Sequence, residues 1–320
     1  MNISFNFDIA TFFVILNYSW GKLMYYYKIY GLNVKSEKKI DELVESNNTL
    51  NIDVEIKVDK IPKEKLKYLK DDIWLYVSKD ISVFRIDNHV TYLIEDGNKI
   101  TIEEKEGSDL QLVKTFLLGT SFGLLLKQRN IIAIHGGAIL INNKAVIFTG
   151  NSGVGKSTIT NAFRLNNFKF LADDVSVIEI NENKVIVNPA YPQQKICRDV
   201  MEKMGYNISN FELIDEGRGK YVIPAKESFT YSSKELGAIC EIEVSDYDDV
   251  YMEEVLGIEK IKLIMKSIYR SEIFFNIGVE KEYLKKMVEL AKSIEVYKIL
   301  RPKNKFSVDD QIKLILEKFK

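Results

Sequence analysis

Apolar and polar positions change rhythm along the chain. Over roughly 21–107 short apolar runs alternate with polar residues at the two-residue period of a half-buried strand. Ile52, Val54, Ile56 and Val58 alternate with Asp53, Glu55 and Lys57. Similar runs at 73–77, 81–86, 90–95 and 99–103 predict strands, the last two joined through Asp96-Gly97-Asn98, a hairpin signal. Residues 23–35 are rich in β-formers and predict one strand, and Ser36 predicts the cap of a short helix through Val44. These elements amount to a small, mostly antiparallel β-rich domain whose tyrosines are expected in its core and sheet.

From 108 onward the pattern belongs to a mixed α/β fold. Ser108-Asp109-Leu110-Gln111 predicts a capping box opening a helix to about Lys127, apolar on most sides and therefore buried. Two apolar runs, Ile131–Ile141 and 144–149, are separated only by Asn142-Asn143. Two residues permit only an antiparallel pair. A helix through 159–165, a strand over 168–172 and a strand pair over 175–180 and 184–188, turned at 181–183, follow. A helix is predicted from about Gln193 to Met204, then strands near 221–224 and 236–244. Helices over 257–269 and 280–292, a strand over 296–300 and a last helix capped by Ser307 with Asp310 complete the reading.

Residues 1–20 read as a leader or extension. The apolar run Ile9–Leu16 is short for a membrane span, and Asp8 rather than a basic residue precedes it, which makes a poor signal peptide. No firm membrane association is expected. The chain has 320 residues, 46% of them hydrophobic, enough for a packed core. Lys plus Arg (45) balance Asp plus Glu (46), which argues against nucleic acid as a partner. Cys197 and Cys240 lie far apart without metal-ligand or redox spacing, as expected of a reduced cytoplasmic protein. Only His89 and His135 are present, which disfavours a multi-histidine metal centre. A homo-oligomer stays open.

The chemistry concentrates at Gly150-Asn151-Ser152-Gly153-Val154-Gly155-Lys156-Ser157, followed by Thr158, which fits the phosphate-binding pattern G-x-x-x-x-G-K-[ST]. A strand runs into it and a helix runs out, so its backbone N–H groups and the helix N-terminus favour an anion. Lys156 can reach the β- and γ-phosphates of a nucleotide, and the Ser157 hydroxyl can ligate Mg²⁺. Asp173 and Asp174 follow an apolar strand soon after the loop's helix and should emerge at the same sheet edge. One can hold metal or its waters while the other accepts a hydroxyl proton. His135 precedes Gly136-Gly137 on the strand paired with the loop's strand. It either orients a carboxylate or phosphate or is a hydrogen-bonded core residue. Lys195, Arg198, Lys220 and Arg270 are candidate anion or substrate contacts, with plain surface charge as the alternative. The charged loop over 215–220 is either a solvated turn or a substrate loop.

His135-Gly136-Gly137, the hairpin, the 150–158 loop and Leu171-Ala172-Asp173-Asp174 together resemble the catalytic domain of HPr kinase/phosphorylase, a relative of phosphoenolpyruvate carboxykinase. The resemblance implies an α/β fold over 108–320: a P-loop domain with a mixed sheet, preceded by the β-rich domain over 21–107. It implies that Lys156 and Ser157 bind ATP and Mg²⁺, that the aspartates supply a base and a metal or phosphate partner, and that His135 sits beside them. Thr158 stands where HPr kinase usually carries an acidic residue. Leu124–Arg129, Tyr191-Pro192-Gln193-Gln194-Lys195 and Ile268-Tyr269-Arg270 are more similar to the HPr-kinase-like enzymes found with ribosomally made peptides, including the lasso-peptide kinases. The activity this implies is phosphorylation of a serine on a precursor peptide. A kinase for free serine or for an HPr-type protein, and a nucleotide-sensing regulator, are the alternatives.

Overall fold

The computed structural model describes residues 23–69, 73–182, 184–215, 219–273 and 278–319. The expected leader, Asn183 of the predicted turn, and residues 216–218 of the charged loop lie outside the described residues.

The first sheet is built from β1 (Tyr25–Ile29), β2 (Leu32–Ser36), β3 (Val44–Glu45), β4 (Val54–Val58), β5 (Leu75–Val77), β6 (Ile81–Ile86), β7 (Val90–Glu95) and β8 (Lys99–Glu104). Its order is β3-β1-β2-β4-β8-β7-β6-β5. The β2–β4 and β4–β8 pairs are parallel and the others antiparallel. The single strand expected over 23–35 is instead a hairpin. Tyr30 (φ 57°) and Gly31 (φ 81°) both turn left-handed, as a tight two-residue hairpin turn requires. The β-formers on either side of Gly31 hide that turn. The helix expected after Ser36 is also absent: Ser36 ends β2, and its Oγ accepts from the Lys38 backbone N–H at 3.0 Å, closing a local turn.

The apolar helix runs from Leu110 to Gln128 with a π turn at Leu117–Ser121. Its cap is Asp109, which accepts from the N–H groups of Gln111 and Leu112, while the Ser108 hydroxyl donates to the His89 carbonyl. The cap is thus displaced by one residue, and with Leu112 at the third helical position the reciprocal bond of a capping box is absent. The helix has the length and composition of a membrane-crossing segment, and here it lies between two sheets. The Tyr92 hydroxyl of β7 donates to the Val113 carbonyl at 2.6 Å. Leu124, Leu125 and Leu126 are buried in the same core as Ile132 and Ile134 of the following strand.

The second sheet begins with β9 (Ile132–Ile141), β10 (Lys144–Thr149), β11 (Phe170–Ala172), β12 (Val175–Asn181) and β13 (Lys184–Asn188). A separate three-stranded sheet, β14 (Gln193–Cys197), β15 (Glu212–Asp215) and β16 (Lys220–Pro224), follows with β16 central. The chain then returns to the second sheet as β17 (Lys234–Ser245), β18 (Tyr251–Glu254) and β19 (Glu295–Pro302). β9 and β10 are the expected antiparallel hairpin, turned at Asn142 (φ 48°) and Asn143 (φ 64°). On its other edge β10 pairs parallel to β17, and β17 pairs parallel to β19. The fold is therefore mixed α/β with large mixed sheets.

Three further expectations need correction. Residues 193–197 are the strand β14, paired to β16, and the helix covers only Arg198–Lys203. Gln194 and Ile196 point inward at a period of two, but the Gln and Lys side chains mask that rhythm in the sequence. The helix expected over 257–269 stops at Lys266, because Ile268 bridges to Ile134 and the Tyr269 N–H donates to the Ala133 carbonyl. Ser307 occupies the N-cap position but makes no capping bond, and Asp310 pairs with Lys305.

β9 meets its neighbours closely at two glycines. A Cβ on Gly136 would lie 2.3 Å from the Phe148 carbonyl oxygen of β10, and one on Gly137 would lie 2.8 Å from the Asp173 carbonyl oxygen and 2.7 Å from the Thr160 methyl. Backbone cannot yield as a flexible side chain can, and overpacking at such a place costs ~1–3 kcal/mol. Gly137→Ala is accordingly expected to lower the thermal unfolding midpoint by several degrees in a calorimetric scan. An unchanged midpoint would show that the close approach does not exist.

Candidate functional site

β10 delivers the chain to the loop at Gly150, and the helix Lys156–Leu165 leaves from it with Gly155 at its N-cap. Gly150, Gly153 and Gly155 all have positive φ, at 136°, 82° and 109°. At Gly150 a side chain would also strike the Ile242 carbonyl of β17 at 2.5 Å, so both conformation and space demand glycine. The Lys156 ammonium donates to the carbonyls of Gly150 at 2.8 Å and Asn151 at 2.9 Å. Burial lowers its pKa, opposed by the negative charge of Asp174. Asn151, Ser152 and Val154 lie in the loop, and Ser157 and Thr158 lie in the first turn of its helix.

The sheet order brings the aspartates to this loop. β9 carries β10 on one edge and β11 and β12 on the other. Asp173 and Asp174 form the break between β11 and β12. The Asp174 carbonyl accepts from the Gly136 N–H, which ties this break to β9 opposite Thr149, where β10 enters the loop. His135 is held from three sides. Its N–H donates to the Ser267 carbonyl at 2.7 Å, its own carbonyl accepts from the Thr149 hydroxyl, and Nε2 lies 3.4 Å from an Asp174 oxygen. The Tyr269 ring stands edge-on to the imidazole with centroids 5.7 Å apart. The break at Ser267–Tyr269 that ends the preceding helix is therefore what seats His135.

The two carboxyls are pushed in opposite directions. Asp173 takes the Lys195 backbone N–H on Oδ2 at 2.9 Å, while its Oδ1 is buried without a hydrogen bond. Burial and the adjacent Asp174 charge push its pKa up to about 7. Burial also acts upward on Asp174, but the His135 hydrogen bond and the charges of Lys195 and Lys220 outweigh it and hold the carboxyl well below the usual range. Asp174 keeps 37% of its side chain exposed. One carboxyl is thus shielded and easily protonated, the other open and ionised.

Of the four candidate cations, Lys195 and Lys220 join the aspartates from neighbouring strands of the small sheet. Arg198 instead donates to the Tyr221 hydroxyl at 2.6 Å. Arg270, at φ 56°, donates to the Thr120 hydroxyl at the π turn and stacks over the Tyr269 ring. These two are held by other partners.

Sequence reasoning missed several neighbours. Tyr30, at the left-handed turn of the first sheet, is buried with Tyr191 and Tyr269 on the Asp174 side. Burial, then neighbouring phenols and Asp174, raise its hydroxyl pKa well above the usual value. Its N–H donates to the Pro189 carbonyl at 2.8 Å. Tyr191 and Tyr269 lay within the segments quoted for the family resemblance, whereas nothing in the sequence marks Tyr30. Arg301 on β19 was also missed; its Nε donates to the Val154 carbonyl at 2.7 Å across 147 residues of sequence. No cluster of three or more His, Cys, Asp or Glu side chains arranged to hold a metal occurs among the described residues.

No protein-family model matches the chain, and no curated protein matches it. Among solved structures, the Hpr(Ser) kinase/phosphatase from Coxiella burnetii is similar over 58% of this chain and 92% of its own, at 15% identity and a TM-score of 0.29.

A Cβ on Gly123 would lie 2.6 Å from the Tyr269 ring. Gly123→Ala should therefore move that ring off His135 and shift the His135 imidazole proton resonances. His89, the second of two histidines, serves as the internal control and should not move. If both histidine signals stay in place, the Tyr269–His135 contact is wrong.

Proposed function

We propose that the chain is a phosphotransferase that uses ATP and Mg²⁺ to phosphorylate a serine hydroxyl, on a ribosomally made precursor peptide. The observation that carries this reading is the Asp173–Asp174 break. It is joined through Gly136 to the strand feeding the glycine loop, with Asp174 paired to His135 and its charge acting on Lys156. The serine and the peptide rest on the sequence resemblance alone.

In this reading the acceptor hydroxyl lies against Asp174, the open and ionised carboxyl. Its oxygen forms a bond to the γ-phosphorus, the bond from that phosphorus to the β–γ bridging oxygen breaks, and Asp174 takes the hydroxyl proton. A weak base suffices, because in a loose phosphoryl-transfer transition state the proton leaves late. His135 fixes the carboxylate orientation. Lys156 and the loop N–H groups offset charge on the phosphates. The residues present fit a divalent cation: Ser157 stands in the first turn of the loop helix, and the buried Asp173 Oδ1 has no partner among the described residues. Ser157 and Asp173 would hold the ion, which would supply charge neutralisation on the phosphates. Lys195 and Lys220 keep Asp174 ionised between turnovers.

Lys156→Ala is expected to abolish transfer from ATP to an acceptor peptide in a radiolabel assay. Asp174→Asn should keep its ATP affinity while slowing transfer by ~10²-fold, the low end of the worth of a positioned general base, because this carboxylate is a weak one. Wild-type rates in the lysine variant would refute the loop assignment, and wild-type rates in the asparagine variant would remove Asp174 from the proton transfer.

A further inference from the structure

On the side of the loop away from the aspartates lies a cavity of about 330 Å³, within the ~300–1,000 Å³ typical of small-ligand pockets. Gly153, Gly155 and Thr158 form its floor, and Lys203, Arg301 and Phe306 stand around it. The strand order sets its direction. The aspartates follow β11, beyond β9, whereas Arg301 belongs to β19, beyond β17, and the loop rises from β10 between them. A triphosphate lying over the loop with its terminal phosphate at the aspartates must carry its other end towards this cavity.

The walls suit what a nucleotide has at that end. Phe306 leaves 48% of its surface in solvent, a large apolar ring with one cation, the Lys203 ammonium, at 5.6 Å from its centroid. Any nucleobase can stack on such a ring, because every base has a π-face. Arg301 spends Nε on the Val154 carbonyl and Nη1 on the Pro302 carbonyl. Its guanidinium is thereby fixed to the loop itself, and its other N–H groups, those of Nη2 among them, have no partner among the described residues and remain for a ribose or an α-phosphate. Lys305, by contrast, is committed to Asp310 at 2.9 Å.

We propose that this cavity is the nucleoside subsite, with the base stacked against Phe306 and the sugar or α-phosphate beside Arg301. The proposal rests on the reading of residues 150–158 as a phosphate-binding loop. It adds that the segment after β19, far from the loop in sequence, makes the protein prefer a nucleotide over bare polyphosphate.

Calorimetric titration of the full chain with ATP and with inorganic tripolyphosphate, in the presence of Mg²⁺, tests it. Wild type should bind ATP more tightly than tripolyphosphate. Phe306→Ala should weaken ATP about tenfold, in line with the loss of one base–aromatic stack, and leave tripolyphosphate unchanged. Phe306→Trp should retain ATP affinity. Unchanged ATP affinity in Phe306→Ala, or equal loss of both ligands in Phe306→Ala, would overturn the subsite. The loop reading fails separately if Lys156→Ala binds tripolyphosphate as wild type does; a wild type that binds neither ligand would overturn both.

Discussion

At Gly136 and Gly137 the strand β9 has no room for a side chain on either face, and the arrangement of the site depends on that fact. One face is filled by the carbonyl of Phe148, the other by the carbonyl of Asp173 and the methyl of Thr160. The loop strand, the loop helix and the aspartate break therefore close on one another across two residues of bare backbone. His135 precedes this point and the turn into the loop lies across from it, in the Thr149–Gly136 pair. Packed interiors do not stretch to absorb an added carbon, so the spacing between loop and aspartates is set by backbone rather than by side chains that could relax.

That spacing also fixes the electrostatics. Neighbouring carboxyls in a partly dry place cannot both ionise freely, and here the conflict is resolved by unequal surroundings. Asp173 is turned inward to one backbone N–H with an oxygen left bare, and Asp174 is turned outward to an imidazole and two lysine charges. In the proposed reading this asymmetry would divide the roles of metal-side carboxylate and proton acceptor between them. The first sheet contributes as well, since its strained Tyr30 turn packs beside the same carboxylate.

Much of this was legible in the sequence, and what was legible had a local cause. The Asn142-Asn143 turn, the spacing of the loop glycines and the aspartates ending an apolar run are short-range signals read over a few residues. What stayed hidden depends on distance or on masking. Arg301 meets Val154 only through the parallel pairing of β17 with β19. The strand at Gln193–Cys197 carries polar side chains on a half-buried period, which in the sequence reads as the start of a helix. The hairpin at Tyr30-Gly31 sat inside a run of β-formers, where the single glycine was outweighed by its neighbours. Arg270 looked like a surface cation but is turned under the π turn of a helix that no periodicity argument resolves.

The claim on which the account stands is that this site moves a phosphoryl group from ATP to a hydroxyl. Incubation with γ-labelled ATP and Mg²⁺, against serine-containing precursor peptides encoded beside the gene, free serine and HPr in parallel, reads it directly by mass spectrometry. Label on a peptide serine is the expected result. Tight ATP binding with no label on any acceptor would contradict it and leave a nucleotide sensor in its place.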